Sequence, residues 1–277
     1  MVGAITVVMA LLPVSTIAQQ RVQISTHLTQ TQLAGLEPVA LQIQNQIPGL
    51  AYHIMQDPSC MTTLIAGIRG VEWDTDFEVL NRTMRETGCF DPYTRVNLLA
   101  STPVDWPPAF EMVLVEPSTL YIKIEHFFFR RGDIATEFLR LGLLSLEAVE
   151  RVIVDLRGNP GGYIDAGMDL LGFFPAPSAP LQRQMAREIQ TWPIQDHEEQ
   201  FSRLIRPIIL VDGVTASISE VVAGVLAATY PDTFMVGERT HGKGAMQNVL
   251  ISWPLEMVYT TGEFILPGGE QIQGRGI

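Results

Sequence analysis

From Thr119 onward the chain keeps repeating one arrangement: a short apolar, β-branched run, a turn that often carries glycine, then a segment with apolar residues at helical spacing. "TLYIKIEHF" alternates like a strand, "DIATEFLRLGLLSLEAVE" has the period of a helix, and "RVIVDL" reads as a buried strand. "YIDAGMDLLGFF" follows as a helix, "RPIILVD" as a strand, "ISEVVAGVLAATY" as a helix and "TFMVG" as a strand, with "NVLISWP" and "EMVYTTGEFIL" as a strand pair. Strands separated by helices of this length imply crossover units and a mostly parallel sheet, so the expected fold is α/β with functional groups on the strand-to-helix turns. Pro175 to Arg206 interrupts the rhythm with "PAPSAP" and a stretch read as a polar helix, either a lid or a surface excursion.

Upstream, "TQLAGLEPVALQIQNQI" and "DTDFEVLNRTMRET" look helical, and the proline-rich "STPVDWPPAF" is the expected hinge, because each proline removes a backbone donor and restricts the residue before it. The organisation expected is residues 1–19 as an export signal, 20–110 as a smaller, largely helical region and 111–277 as the α/β domain. The signal reading rests on the uncharged "MVGAITVVMALLPVSTIAQ", with cleavage after Ala18; a basic start is missing, and a buried helix or a mis-set start codon are the alternatives. Export places the mature protein in the periplasm or outside the cell. Past that segment no apolar run reaches the ~20 residues that span a bilayer, so no stable membrane span is expected in the mature chain.

A chain of 277 residues, 47% of them hydrophobic, can bury a sizeable core. Its net charge of -12, with no cluster of Lys and Arg, argues against nucleic acid as a main partner. Cys60 and Cys89 make neither a zinc cluster nor a C-x-x-C pair, so no metal is expected; they are either one disulfide or two buried thiols. Asn81 opens an N-R-T glycosylation sequon.

Three turns carry the candidate chemistry. "DLRGNPGG" follows a strand, and the adjacent Gly161 and Gly162 let backbone approach a ligand and offer amides to an anion, although such turns are commonly only turns; Asp155 and Arg157 in it read first as a structural ion pair. In "GVTASISEVVAGVL", Ser217 and Glu220 match a capping box, yet a serine at a helix N-terminus is also well placed to be a nucleophile whose product is an oxyanion. Thr215 and Ser219 are rival hydroxyls. "GERTHGKGAM" fits the G-x-x-x-x-G-K phosphate-loop frame, but Gly244 stands where a hydroxyl should bind magnesium, which weakens the nucleotide reading. A serine needs a base; His241 is the histidine in a glycine-rich turn, and Lys243 can serve if burial lowers its pKa from ~10.4 to about 7 or 8. Gln247 could hold the amine in line.

Taken together, "VIVDLRGNPGG", "GVTASISEVVAGVL", "VGERTHGKGAMQ" and "GGEQIQGRGI" resemble the C-terminal processing, or tail-specific, peptidases over roughly Thr119 to Ile277. The resemblance implies a serine endopeptidase with a Ser/Lys dyad on a crotonase/ClpP-like core, acting on extended or C-terminal polypeptide segments without cofactor. By position it implies Ser217 as nucleophile, Lys243 as general base, Gln247 as the residue orienting that base, and an oxyanion hole from the amide of Ile218 and one from the "NPGG" turn, Gly161 in preference to Gly162. The chain departs from the family in four ways. It lacks the "GSPA...AG...GD" pattern of a PDZ domain, it has His241 before "GKG" where an aromatic is frequent, and Ile218 replaces a small residue after the nucleophile. It also stops at Ile277 inside a motif that usually continues, as a truncated product would. The rival expectations are a non-catalytic peptide-binding relative and, further off, a nucleotide-binding protein.

Overall fold

The computed structural model describes residues 107–277, apart from 117, 144, 186, 187, 231, 253 and 254, together with residues 59, 62, 81, 82, 85, 86, 88, 91 and 93–98. The signal expected at 1–19, the segment "TQLAGLEPVALQIQNQI" and both cysteines lie outside the described residues; of the expected helix "DTDFEVLNRTMRET", residues 81, 82, 85 and 86 are described, and they are helical. Ten strands follow in order: β1 (Arg95–Leu98), β2 (Phe110–Glu116), β3 (Thr119–Ile124), β4 (Arg151–Asp155), β5 (Gln182–Met185), β6 (Glu188–Thr191), β7 (Ile208–Val211), β8 (Phe234–Gly237), β9 (Ala245–Ser252) and β10 (Leu255–Ile265). The helices described over their whole length are α1 (Asp133–Arg140), α2 (Ile164–Leu171) and α3 (Ile218–Thr229), with a 3-10 turn at Leu146–Ala148. Two compact units divide the chain, one of residues 1–106 with 248–259, the other of 107–247 with 260–277.

In the first unit β1 runs antiparallel to the start of β10, pairing Arg95 with Val258 and Leu98 with Leu255. Asn81 is buried there, its Nδ2 donating to Val96 O at 2.8 Å while its Oδ1 accepts the Val96 amide at 2.7 Å. The amide that would carry a glycan is thus committed to the backbone.

The second unit is built on a five-stranded sheet of order β2-β3-β4-β7-β8, in which β3, β4, β7 and β8 are parallel and β2 is antiparallel to β3. The alternating α/β pattern predicts those parallel strands, and Val152, Val154, Ile209 and Val211 on them are buried in one core with Val221, Val222 and Leu226 of α3. Fully burying each such side chain contributes about 1.5–3 kcal/mol. Gly167 of α2 is where α3 approaches: a Cβ there would meet Ile218 Cγ1 at 2.2 Å, so the Ile218 side chain packs between the two helices.

Three expectations are corrected. The helix expected over 133–150 stops at Arg140, because Gly142 takes φ 73 and closes a Schellman motif: Leu143 N donates to Phe138 O at 2.9 Å and Gly142 N to Leu139 O at 3.0 Å. The polar stretch after Pro175 is the antiparallel β5–β6 hairpin and not a helix. Arg183 lies 4.5 Å over the ring of Trp192, Trp192 stacks on Phe264, and β5 pairs with the end of β10, so tertiary contacts settle a segment whose polarity gave little period. Finally β2, beside the prolines taken as a hinge, is an edge strand that the sequence reading did not list.

Candidate active site

The glycine turns all sit at the carboxyl ends of parallel strands, where open α/β sheets gather functional groups. Turn one follows β4, turn two follows β7 and turn three follows β8. They are bolted together by hydrogen bonds between residues far apart in sequence. Gly158 N donates to Asp212 Oδ2 at 2.9 Å, Thr215 Oγ1 to Leu156 O at 2.9 Å and Ala216 N to Asn159 O at 3.0 Å, joining turns one and two. His241 N donates to Thr215 O at 3.0 Å, joining turns two and three.

Among the three hydroxyls on turn two, the environments now differ. Thr215 is buried, with its hydroxyl donated to Leu156 O. Ser219 is fully buried inside the first turn of α3. Ser217 is half-buried and is the N-cap of α3, at φ 62 and ψ -127; among the described residues it is the one non-glycine with positive φ. Such a conformation costs on the order of 1–3 kcal/mol and gathers at functional sites, so the outlier itself points to position 217. Gly161, at φ 102, lies against it: a Cβ on Gly161 would fall 2.8 Å from Ser217 Cβ and 3.4 Å from Ser217 Oγ. Only glycine fits that contact.

Glu220 organises the rest. It is fully buried, and its two carboxylate oxygens take four donors. Oε1 accepts from Thr240 Oγ1 at 2.6 Å and Gly242 N at 2.7 Å; Oε2 accepts from Ser217 N at 2.9 Å and Lys243 N at 2.8 Å. Sharing one oxygen holds the amides of Ser217 and Lys243 within about 6 Å of each other. The sequence shows Glu220 as a capping-box residue, and it does receive the N-cap amide, but its longer reach to turn three has no local signal.

Lys243 is half-buried between Gly242 and Gly244, and Gln247 lies four residues on, half-buried in β9. Ile218 contributes the first amide of α3, one of those a helix leaves without an intrahelical acceptor. The Gly161 amide is donated to Asn159 Oδ1 at 2.9 Å. Asn159, which the sequence reading passed over, is fully buried and also gives its Nδ2 to Ile124 O at 2.9 Å, fixing turn one against the end of β3. The side chain of His241 is exposed. His126 holds Pro107 O at 2.9 Å and accepts the Phe128 amide, and His197 sits 3.1 Å from Asp169 Oδ1, so both are engaged elsewhere.

Asp155 and Arg157 do form the expected ion pair, at 2.6 Å between Arg157 Nη2 and Oδ2. Burial pushes the Asp155 carboxyl up, but hydrogen bonds from the Arg157 side chain and amide and from Tyr121, with the charge of Lys123, outweigh it and hold the pKa at about 2. A carboxyl with a depressed folded pKa stabilises the protein above its unfolded value of ~3.9, and that stabilisation is lost as pH falls through about 2. Asp155→Asn should therefore melt below the wild type at pH 5, with the difference in Tm shrinking as calorimetry is taken down to about pH 2. A gap that stays constant across that range would show that the pair does not act through this ionisation.

Comparison with known proteins agrees with this architecture. The sequence profile of peptidase family S41 matches residues 118–277, more than half of the chain, and the chain belongs to that family. A carboxyl-terminal-processing protease of Picosynechococcus is 31% identical over 136 residues, covering 47% of this chain and 30% of that one. The chain spans about a third of the length of the curated relatives it matches. Among solved structures, the photosystem II D1 C-terminal processing protease superposes with a TM-score of 0.51 at 24% identity, over 65% of this chain and 49% of that one. A lipoprotein from Streptococcus agalactiae gives 0.65 at 13% identity, over 87% and 89%. These two likenesses are of fold.

Proposed function

We propose that the chain is a serine endopeptidase that hydrolyses extended or C-terminal polypeptide segments with a Ser217/Lys243 dyad. The observation that carries the reading is Glu220, whose single oxygen Oε2 receives the amides of both residues while Gly161 closes on the Ser217 side chain. Membership of a peptidase family supplies the reaction class. In the proposed mechanism Ser217 Oγ attacks the scissile carbonyl as neutral Lys243 takes its proton, and the same amine returns that proton to the departing nitrogen. Water then attacks the acyl-enzyme, Lys243 again acting as base, to release the acid and restore the serine. Gln247 holds the amine in line.

The oxyanion meets the Ile218 amide at the N-terminus of α3 and the amide of Gly161. Because that Gly161 N–H rests on Asn159 Oδ1, the oxyanion competes with a neutral side-chain amide for it, and the charged acceptor makes the stronger bond.

Part of the same reading is that the β2-β3-β4-β7-β8 sheet with α2 and α3 is a crotonase/ClpP-like core, that the protein is exported by its apolar first residues, and that strand-like polypeptide is the partner. Among the described residues no helix is long and apolar enough to cross a membrane.

A serine-directed fluorophosphonate tests the chemistry directly. Mass spectrometry should find the adduct on Ser217, with no adduct in Ser217→Ala and labelling at least about 100-fold slower in Lys243→Ala. A wild-type protein that stays unlabelled yet binds extended peptides would be the non-catalytic relative instead.

A further inference from the structure

We infer that Gln273 is a positioning residue for the base, clamping the turn that carries Lys243 together with Glu220; this rests on the Ser217/Lys243 reading. Gln273 Oε1 accepts the amides of Gly244 at 2.9 Å and Ala245 at 3.0 Å, the two that follow Lys243. The two amides up to and including that of Lys243, those of Gly242 and Lys243 itself, go to Glu220. Four consecutive amides are thus gripped in pairs by two side chains, with the lysine at the change of grip.

The clamp has a firm base. Ile272, its neighbour, is buried, and the Ile272 carbonyl takes both Arg275 N at 2.9 Å and Gly276 N at 3.0 Å, closing the backbone around position 273. Gly274 N donates to Gly242 O at 2.8 Å, which ties this segment to the turn a second time. A Cβ on Gly244 would lie 2.8 Å from Gln273 N, so glycine at 244 is what lets the segment come close enough for the side-chain bonds.

The turn needs such a grip because glycines on both sides of Lys243 leave its backbone with few intrinsic restraints. A displacement of about 1 Å at a catalytic group can cost about 100-fold in rate. The glutamine oxygen supplies restraint through bonds to backbone amides alone.

The test compares the wild-type protein with Gln273→Met, which keeps length and removes the acceptor, and with Gln273→Glu, which keeps an acceptor oxygen for both amides. Hydrogen exchange resolved at Gly244 and Ala245 is read beside kcat and KM on an unfolded protein substrate. Gln273→Met should speed exchange at both amides at least about 10-fold and lower kcat about 10-fold or more, with KM within about 2-fold, and Gln273→Glu should recover both. If the methionine variant does not fold, Gln273→Asn, too short to reach both amides, takes its place with the same expectation. Unchanged exchange, unchanged kcat, or a glutamate variant no better than methionine overturns the clamp while leaving the dyad standing. A wild-type chain with neither turnover nor phosphonate label overturns the dyad and with it the clamp's catalytic role, whatever the exchange rates.

Discussion

Lys243→Met should lower kcat/KM on unfolded protein by about 10⁴-fold or more with little change in melting temperature, and Lys243→Arg should be no better. A serine hydroxyl is a poor nucleophile at neutral pH, so removing its proton acceptor removes most of the acceleration. Methionine keeps the length and apolar body of the side chain, which separates loss of the amine from loss of packing. Arginine keeps the positive charge but cannot release its proton in a protein, so it distinguishes a base from a cation that merely attracts the oxyanion. Ser217→Ala should fall to the same floor, and the double variant should fall no further, because the two act on one proton transfer. Lys243→Arg with more than about a tenth of wild-type kcat would remove the lysine from the role of base and reopen the site to another acceptor.

The parts of this fold that are legible in sequence are those whose signal is local. β4 and β7 announce themselves as β-branched runs, and α2 and α3 by helical spacing, because burial in the middle of a parallel sheet leaves little room for polar residues, while the edge strand β8 is legible as a short apolar run although its side chains are largely exposed. Ser217 is legible as a helix start, but its φ of 62 is imposed by bonds from Glu220 and by the approach of Gly161, and no neighbouring residue reports that. Ile218 shows the same limit. Its bulk in place of a small residue would narrow the site if the side chain pointed inward, whereas the gap left by Gly167 on another helix takes it into the core. The β5–β6 hairpin is polar on both faces and owes its form to Trp192, Phe264 and the edge of β10. Gln273 acts through its side-chain oxygen on remote amides and Asn159 through its Nδ2 on the remote Ile124 carbonyl, and a single asparagine or glutamine carries no pattern that foretells such a partner.

Glu220→Gln should be the most destabilising conservative change in the second unit. The carboxylate offers an acceptor to every one of its four donors, whereas a glutamine presents one oxygen and one NH2. With the NH2 at the Oε2 position the amides of Ser217 and Lys243 both face a donor, and with it at Oε1 the Gly242 amide does, the Thr240 hydroxyl there being able to accept instead, all in a site without solvent access. Hydrogen bonds to a charged group contribute about 1.5–3 kcal/mol each, and an orphaned buried donor costs about 1–3 kcal/mol, so a loss of about 3–5 kcal/mol is expected. For a chain of this size that lowers Tm by on the order of 10 °C, measurable by calorimetry. Activity should fall further than stability explains. At a temperature where the variant is still fully folded, kcat should drop about 100-fold or more, since one orientation of the glutamine takes the shared acceptor from the Ser217 and Lys243 amides and the other sets its NH2 against the Gly242 amide beside Lys243. Thr240→Val removes a single donor to Oε1 and so should be far milder in rate, which makes it the control for a general loosening of the core. A Glu220→Gln protein that melts with the wild type and turns over substrate at its rate would mean that the shared carboxylate does not set the spacing of serine and lysine.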